Sequence, residues 1–208
     1  MSFTGDRKGR LIVFEGIDGT GKSTHIGMLR ALLESRGLEV VQSFEPTCGQ
    51  WGRMLRESAV TGRLSVEDEV ELFLKDRREH VETLIAPALA RGAWVLLDRY
   101  YLSMMAYQGA RGVDAAAIRA ANEEFAPVPD AVVWLDIPVA VALKRIGSRG
   151  ACDAFETEAG LTACRNVFAS IHEPWMLRVD ADAGREEVAA RVMQALRHMM
   201  PGNTKDER

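Results

Sequence analysis

Residues 11–24 read LIVFEGIDGTGKST, an apolar run that leads into a glycine-rich loop. A run such as residues 11–14 is typical of a strand buried on both faces of a parallel sheet. After the loop, an apolar stripe from Ile26 to Leu33 has helical spacing, and Gly37 is placed to end that helix. The loop therefore lies between a strand and an amphipathic helix, which is the setting in which the pattern GxxxxGK[ST] binds phosphate.

The residue types in this loop suit a nucleoside triphosphate. Glycines let the backbone turn tightly, so that successive N–H groups point at a phosphate, and the helix that begins near Lys22 adds its positive N-terminal end. Lys22 is expected to reach the β and γ phosphates, and the Ser23 hydroxyl is expected to ligate Mg²⁺. The sequence predicts ATP binding by Gly16, Ile17, Asp18, Gly19, Thr20, Gly21, Lys22, Ser23 and Thr24.

Apolar runs recur along the chain and are separated by helical patterns. The strong runs lie at residues 11–14, 94–97 and 131–135, with shorter candidates at 38–43 and 176–179. One helical segment, residues 66–90, is long and is expected to be disturbed near Pro87. This alternation predicts an α/β fold, a three-layer, doubly wound parallel sheet of about five strands with helices on both faces. Ligands bind beyond the carboxyl ends of such strands, where three runs are followed by an acidic residue: Glu15, Asp98 and Asp136.

Length and composition narrow the class of protein. A chain of 208 residues predicts one domain over residues 1–208 with a small lid. Its 26 basic and 30 acidic residues give a net charge of −4, which excludes a nucleic-acid binder that works through overall charge. No apolar run approaches the ~18 residues of a spanning helix, so no membrane partner is expected. Three cysteines without a CxxC pair, and a polar start without a signal-peptide pattern, predict a cytoplasmic location.

Three classes of phosphate-loop protein are open at this point: a nucleotide or nucleoside kinase, a regulatory GTPase, and an ATPase motor or transporter module. A GTPase needs a base-reading NKxD sequence, which the chain lacks. An ATP-driven machine usually ends its acidic strand in paired carboxylates, whereas the run at 94–97 is followed by Asp98-Arg99-Tyr100. Unless this is a solvated turn, Asp98 suits the Mg²⁺ shell and Arg99 suits the acceptor or the transferred phosphoryl group. The pattern therefore favours a kinase.

The chain resembles the thymidylate kinases, enzymes that transfer the γ-phosphoryl group of ATP to dTMP and release dTDP and ADP. The shared motifs run in order from about Leu11 to Val192: FEGIDGTGKST at 14–24, EP at 45–46, LF at 72–73, DR at 76–77, DRY at 98–100, AYQG at 106–109, and LKR to RG over 143–150. A phosphate loop alone occurs in many families, so the ordered set carries the resemblance. It implies the P-loop nucleoside monophosphate kinase fold, a role in dTTP biosynthesis, ATP and dTMP as partners, and Mg²⁺ as cofactor.

The resemblance also implies how the acceptor base and sugar are bound. Asp18 is expected to meet the 3′-hydroxyl of the sugar, although from the residues alone it could be a helix-capping charge. Phe73 is expected to stack on thymine, and Arg77, four residues later on the same helix face, to donate to the O4 and N3 side of the ring. Without the resemblance, Phe73 beside Leu72 and Leu74 is more often a core residue.

Further residues are implied to hold the acceptor phosphate and to close over the nucleotide. Arg56 is expected to grip the 5′-phosphate together with Arg99, and Tyr107 and Gln108 to close over base and sugar. A surface salt bridge for Arg56, and an ordinary helix end for Tyr107 and Gln108, are the alternatives. The full acceptor set is Asp18, Glu45, Pro46, Arg56, Phe73, Arg77, Arg99, Tyr107 and Gln108.

The segment from about residue 145 to residue 157 resembles the lid of the family. Because the phosphate loop holds Thr20 and no arginine, the resemblance implies that the lid supplies a catalytic cation, with Arg149 first and Arg145 second. The implied catalytic set is Lys22, Arg99, Arg149 and Arg145, and the implied metal ligands are Ser23 and Asp98. The family further implies a homodimer that uses long helices such as residues 66–90.

Three positions depart from the family pattern. Phe44 stands where an arginine commonly precedes Glu-Pro, and Met104 stands where a threonine commonly follows the serine. In the lid, Ala154 stands where an arginine is common. These departures leave two alternatives: a kinase of the same fold with another acceptor, such as dUMP, dCMP or a deoxynucleoside, or an ATP-binding regulatory homologue without turnover.

Overall fold

The computed structural model describes residues 8–147 and 157–200. Its strands are β1 (Arg10–Glu15), β2 (Val40–Phe44), β3 (Trp94–Asp98), β4 (Ala131–Asp136) and β5 (Met176–Asp180). Its helices are α1 (Lys22–Ser35), α2 (Gln50–Thr61), α3 (Val66–His80), α4 (Ala86–Ala90), α5 (Tyr101–Gly109), α6 (Ala115–Glu123), α7 (Val139–Gly147), α8 (Glu158–Ser170) and α9 (Arg185–Leu196). Within these two ranges, no helix combines the length and the apolar character needed to cross a membrane.

The five strands form one parallel sheet in the order β2-β3-β1-β4-β5. The central strand β1 is covered on both faces, and its residues from Leu11 to Phe14 are fully buried. In a right-handed crossover, the direction in which the chain moves across the sheet decides which face the connecting helices cover. The connection from β1 to β2 runs in one direction and places its helix on one face. The later connections between strands run in the opposite direction and place their helices on the other face. Helix α1 accordingly packs against α9 on its face, while Phe168 of α8 stacks on Trp134 of β4 at 6.2 Å between ring centroids. The predicted three-layer α/β fold is confirmed.

The strand order gathers three loops at one edge of the sheet. The chain runs from β1 to β2, although the direct neighbours of β1 in the sheet are β3 and β4. The later connections cross the sheet in the opposite direction, so the loop after β1 lies at the point where the strand order reverses. In the register, Phe14 of β1 lies opposite Asp98 of β3, which in turn lies opposite Phe44 of β2. The phosphate loop, the Glu45–Pro46 turn and the turn after Asp98 therefore share this edge.

The long helical segment is interrupted where its proline predicts. Helix α3 ends at His80, a π-helical turn spans Val81–Ile85, and α4 then continues through Pro87. Proline has no backbone N–H, and its ring clashes with the carbonyl of the residue four positions earlier. The wider π turn in front of Pro87 accommodates both constraints without ending the helix, so the expected disturbance is confirmed.

Candidate active site

The glycines of the phosphate loop are required by close backbone contacts. Gly16, Gly19 and Gly21 have positive φ angles of 139°, 82° and 90°. A Cβ on Gly16 would lie 2.5 Å from the carbonyl oxygen of Leu135, and a Cβ on Gly19 would lie 2.9 Å from that of Ala142. Both the conformation and the space therefore exclude larger residues at Gly16 and Gly19.

The amine of Lys22 is buried inside the loop. Its Nζ donates to the carbonyl oxygens of Gly16 at 3.0 Å and Ile17 at 3.2 Å. Burial, together with the nearby Arg99 guanidinium, lowers the pKa of Lys22 to about 8, although Asp18 and other carboxylates oppose this. The loop thus presents a cation whose charge is only partly stabilised by its own surroundings.

A hydroxyl and a carboxylate meet beside the loop. The Oγ of Ser23, at the start of α1, donates to Oδ2 of Asp98 at the end of β3, at 2.6 Å. The bond joins a helix and a strand that are distant in sequence but packed against each other. It places two oxygen ligands of the kind that Mg²⁺ prefers at the mouth of the phosphate loop.

Arg99 lies in an unusual backbone conformation and makes several bonds. Its φ of 71° is in the left-handed region, and its backbone N–H donates to the carbonyl of Phe14 at 2.9 Å. Its guanidinium donates to Oδ1 of Asp18 at 2.6 Å and to Oγ of Ser103 at 2.9 Å, and it lies 5.0 Å from the ring centroid of Tyr107. These contacts hold the guanidinium against the phosphate loop.

Asp18 is the partner that balances this charge. It accepts from Arg99 through one oxygen and from the Tyr107 hydroxyl through the other, at 2.9 Å. Burial alone would raise the pKa of Asp18, but the charges of Arg99 and Lys22 hold it well below its usual value. Asp18 is therefore a carboxylate at neutral pH and can accept a hydrogen bond from a ligand.

Glu15 positions the turn that carries Arg99. Its carboxylate accepts from the backbone N–H groups of Tyr100 at 2.9 Å and Ser103 at 3.0 Å, and from the Ser103 hydroxyl at 2.5 Å. Glu15 thus caps the N-terminal end of α5. Complete burial raises the pKa of Glu15 to about 7, even though Ser103, Arg99 and Tyr100 all favour its charged form.

Two cavities open at this edge of the sheet and share a wall. We name the first, of about 240 Å³, the acceptor cavity and the second, of about 460 Å³, the donor cavity after the residues predicted to line them. Of the predicted ATP-binding residues, the donor cavity is lined by Asp18, Gly19, Gly21, Lys22, Ser23 and Thr24, and also by Asp98. All nine predicted acceptor residues line the acceptor cavity: Asp18, Glu45, Pro46, Arg56, Phe73, Arg77, Arg99, Tyr107 and Gln108. Three residues line both: Asp18, Glu45 and Arg99.

A buried charge network supports the floor of the acceptor cavity. Arg77, whose side chain is 2% exposed, donates through Nε to Oε2 of Glu45 at 2.7 Å. The other oxygen of Glu45 lies 2.9 Å from Nδ1 of His80, whose Nε2 lies 2.8 Å from the Ser43 hydroxyl. Nη1 of Arg77 donates to the side-chain carbonyl oxygen of Asn122. Because each charge has a partner, Arg77 is held in one orientation.

Arg56 lies at the rim of the same cavity. Its guanidinium donates to the carbonyl oxygens of Pro46 at 2.6 Å and of Thr47. Asp76 fixes that turn by accepting from the backbone N–H of Thr47 at 2.8 Å and from its hydroxyl at 2.6 Å. An exposed cation therefore stands over the turn where the predicted 5′-phosphate would bind.

Comparison with known proteins identifies the family. The family model for thymidylate kinase matches residues 14–192. This chain belongs to the thymidylate kinase family. It is similar to a curated thymidylate kinase of Akkermansia muciniphila, with 83% identity over 201 residues that cover 97% of this chain and 98% of the relative. A thymidylate kinase of Xanthomonas campestris pv. campestris is 55% identical over 86% of this chain and 79% of its own length, and one of Xylella fastidiosa is 48% identical over 91% and 89%.

The family assignment confirms the predicted class of enzyme. The chain is a transferase with the P-loop kinase fold, and its activity is the ATP-dependent phosphorylation of dTMP in dTDP synthesis. The roles predicted for single residues remain predictions, to which the geometry adds position and contacts.

The predicted lid is only partly described. Arg149 and Ala154 lie outside the described residues. Arg145 lies against the outer side of the phosphate loop, where it donates to the carbonyl oxygens of Ala181 at 3.3 Å and Gly19 at 3.4 Å. It lines neither of the two cavities formed by residues 8–147 and 157–200.

Two positions that depart from the family pattern have clear surroundings. Phe44 lines the donor cavity and is 46% exposed, so it presents an apolar ring beside the phosphate loop. Met104 lines the acceptor cavity, and its sulfur lies 3.5 Å from Nη1 of Arg77 and 3.6 Å from Nδ2 of Asn122. The thioether thus accepts weak hydrogen bonds from the same network that holds Arg77.

Several lining residues were not identified in the sequence. Glu69, Ser103 and Met104 line the acceptor cavity, but of these only Met104 was singled out, as a departure from the family pattern. Glu69 precedes Phe73 by four residues, and Phe73 precedes Arg77 by four, so helical spacing alone could have placed all three on one face. Asp136 shows the opposite case, because it lies at a strand end yet pairs with Arg165 and Arg178 away from both cavities.

The pKa of Glu15 predicts how stability depends on pH. Since burial raises it from 4.5 to about 7, the folded chain keeps a proton that the unfolded chain releases, so wild-type stability falls between these two pH values. We expect the free energy of unfolding of wild type to fall relative to Glu15→Gln by up to about 3 kcal/mol from pH 4.5 to pH 7, and then to level off.

Urea unfolding of both proteins at pH 5, 6, 7 and 8 measures this difference. Glu57→Gln, which changes an exposed glutamate of α2, is the matched control. A wild-type to E15Q difference that stays constant across this range would show that Glu15 is already ionised at pH 5.

Proposed function

We propose that the donor cavity binds ATP, that the acceptor cavity binds dTMP, and that the phosphoryl group passes between them beside Arg99. The observation that carries this proposal is the shared wall, in which Asp18, Glu45 and Arg99 line both cavities. A phosphoryl group that is transferred between two bound nucleotides must pass from one cavity to the other at the boundary that these residues form. The cation on Arg99 is therefore available to the acceptor phosphate and to the transferred group alike.

The base is selected by stacking and by complementary hydrogen bonds. Phe73 supplies an aromatic face for the thymine ring. Arg77, held by Glu45, is a donor suited to the O4 carbonyl. The Oε1 atom of Gln108 is buried and has no hydrogen-bond partner among residues 8–147 and 157–200. It is an acceptor suited to the N3–H group of thymine. The Arg77 donor and the Gln108 acceptor together therefore complement thymine, whereas cytosine presents a donor to Arg77 and an acceptor to Gln108.

The sugar and the phosphate are held at the other end of the acceptor cavity. Asp18 accepts a hydrogen bond from the 3′-hydroxyl, because its charge is balanced by Arg99 and one oxygen can receive a further donor. Arg56 and Arg99 hold the 5′-phosphate from the rim and from the shared wall. Guanidinium groups suit this task because their planar fork matches phosphate oxygens.

The transfer itself needs little covalent chemistry from the protein. An oxygen of the dTMP phosphate attacks the γ phosphorus of ATP, the bond to the β–γ bridging oxygen breaks, and ADP leaves with that electron pair. Lys22 and Arg99 offset the charge that develops on the transferred group and the leaving oxygen. A lid arginine, Arg149 or Arg145, is proposed to add a further cation when the lid closes and excludes water.

Ser23 and Asp98 would hold Mg²⁺ in this scheme. The hydroxyl and the carboxylate lie 2.6 Å apart at the mouth of the phosphate loop, and oxygen ligands of this kind fit a hard cation that completes its shell with phosphate oxygens and water. When bound with ATP, the ion would neutralise charge on the β and γ phosphates. Asp98 accepts a hydrogen bond from the Ser23 hydroxyl and so leaves the lone pairs of that oxygen available to a metal ion.

A panel of acceptors tests the proposed site. We expect fast ADP release with ATP and dTMP, slower release with dUMP, and a kcat/KM for dCMP at least about 100-fold below that for dTMP, because cytosine presents a donor to Arg77 and an acceptor to Gln108. AMP and GMP are expected to be inactive. Chromatography of the products checks which monophosphate was converted.

Each other result of this panel has a distinct meaning. Faster turnover with a different monophosphate would show that Met104 and Phe44 mark a cavity with changed specificity. ATP binding without turnover on any acceptor would contradict the assignment of the shared wall.

The pKa of Lys22 predicts how ATP affinity depends on pH. Because that pKa is lowered to about 8 in the free protein, and phosphates favour the charged amine, the dissociation constant for ATP is expected to rise about tenfold per pH unit above 8. Isothermal titration calorimetry from pH 7 to pH 9.5 measures it. Lys22→Met should bind weakly at every pH, and a flat wild-type profile would contradict this role of Lys22.

The resemblance also supports a homodimer and a cytoplasmic location as proposals for this chain. The long helical segment of α3, the π turn and α4 is the surface that the family would use for pairing. Light scattering of the purified chain at micromolar concentration is expected to give twice the mass of 23.0 kDa. A mass of one chain at all concentrations would contradict the dimer and leave the assignment of the two cavities unaffected.

A further inference from the structure

We infer that Glu69 is a positioning residue for base selection, because it sets the orientation of the Gln108 side-chain amide. The inference rests on the proposed binding of dTMP in the acceptor cavity, and it assigns a task to a carboxylate that the transfer chemistry does not use. Glu69 is the first of three residues, with Phe73 and Arg77, that follow one another at intervals of four along α3 and line that cavity.

Glu69 is buried and firmly held. Its side chain is 5% exposed, and its Oε1 accepts from Nε of Arg63 at 2.8 Å. Its other oxygen accepts from Nη1 of Arg111, which follows α5. A buried carboxylate is costly unless its charge is paired, and two guanidinium groups from different segments supply this pairing. The position of Glu69 is therefore determined by contacts outside the cavity.

Gln108 presents its amide to this carboxylate. Its Nε2 donates to Oε2 of Glu69 at 3.4 Å, while its Oε1 has no partner among residues 8–147 and 157–200. The two ends of an amide are nearly equal in size, so their placement follows from the hydrogen bonds available to each. A flipped amide would bring a carbonyl oxygen against a carboxylate, where neither can donate. Glu69 therefore favours the orientation that leaves the acceptor Oε1 free for the base.

This orientation discriminates between bases at a single atom. Thymine and uracil both carry a hydrogen at N3 and can donate to Oε1 of Gln108. Cytosine has a lone pair at N3, which would face the lone pairs of Oε1. Glu69 should therefore affect the preference for dTMP over dCMP, and it should not affect the preference for dTMP over dUMP, which differ only by the methyl group.

The experiment compares kcat and KM of wild type and Glu69→Gln with dTMP, dUMP and dCMP. A glutamine at position 69 can accept or donate, so it no longer excludes the flipped Gln108 amide. We expect the ratio of kcat/KM for dTMP to that for dCMP to fall about tenfold or more. The change should appear mainly in KM for dTMP, and the ratio for dTMP to dUMP and the KM for ATP should stay unchanged. Glu71→Gln, an exposed glutamate on the same helix, is the matched control with unchanged ratios.

A double-mutant comparison tests whether Glu69 acts through Gln108. Gln108→Met removes the amide and keeps a similar shape, so adding Glu69→Gln to it should leave the dTMP to dCMP ratio unchanged. Glu69→Asp serves as a second variant if E69Q does not fold, because it keeps the charge for the arginines, withdraws from Gln108 and should lower the same ratio.

Two results would overturn the inference: an unchanged dTMP to dCMP ratio in E69Q, or an equal fall in the Gln108→Met background. The first would make Glu69 a structural residue only, and the second would show that Glu69 affects the base preference by a route other than Gln108. A wild type that does not prefer dTMP over dCMP would instead contradict the proposed acceptor cavity.

Discussion

The ion pair between Arg99 and Asp18 lies in the wall that separates the two cavities, and the geometry on both sides depends on it. Arg99 reaches this wall because its backbone is in the left-handed region, with φ at 71°. A residue other than glycine keeps that conformation only when its surroundings over-determine it. Here the backbone bond to Phe14 and the side-chain bonds to Asp18 and Ser103 do so.

The support beneath this ion pair is a second carboxylate, and it involves a compromise. Glu15 accepts three hydrogen bonds from the turn that carries Arg99, yet its complete burial disfavours its charge. Removing a carboxylate from water is unfavourable even when its oxygens are well satisfied. The burial of Glu15 therefore lowers the stability of the fold at neutral pH, while its hydrogen bonds hold the turn after β3 rigidly. Such a conflict between stability and geometry is expected at a functional site.

The acceptor cavity shows how one helix face combines several tasks. On α3, the intervals of four residues bring Glu69, Phe73 and Arg77 onto the same face, where a carboxylate, an aromatic ring and a guanidinium line a single cavity. Each charged member is held by a partner from another element, Arg77 by Glu45 and Glu69 by Arg63 and Arg111. Under the proposed binding of dTMP, specificity for the base depends on groups that do not touch it, since these partners set the direction of the groups that do.

Local sequence was sufficient for the strand, loop and helix at residues 11–24, for the parallel α/β sheet and for the set of motifs, because these depend on hydrophobic period and on residues close together in the chain. It also located the break before Pro87, which is a property of one residue. The tertiary structure alone decided that Glu15 caps α5, that His80 and Arg77 share Glu45, and that Glu69 faces Gln108. These contacts join residues that lie 32 to 88 positions apart in the chain. Spacing rules apply within one helix or strand, so they do not relate side chains on different elements. Those elements come together only through the order of the strands in the folded sheet.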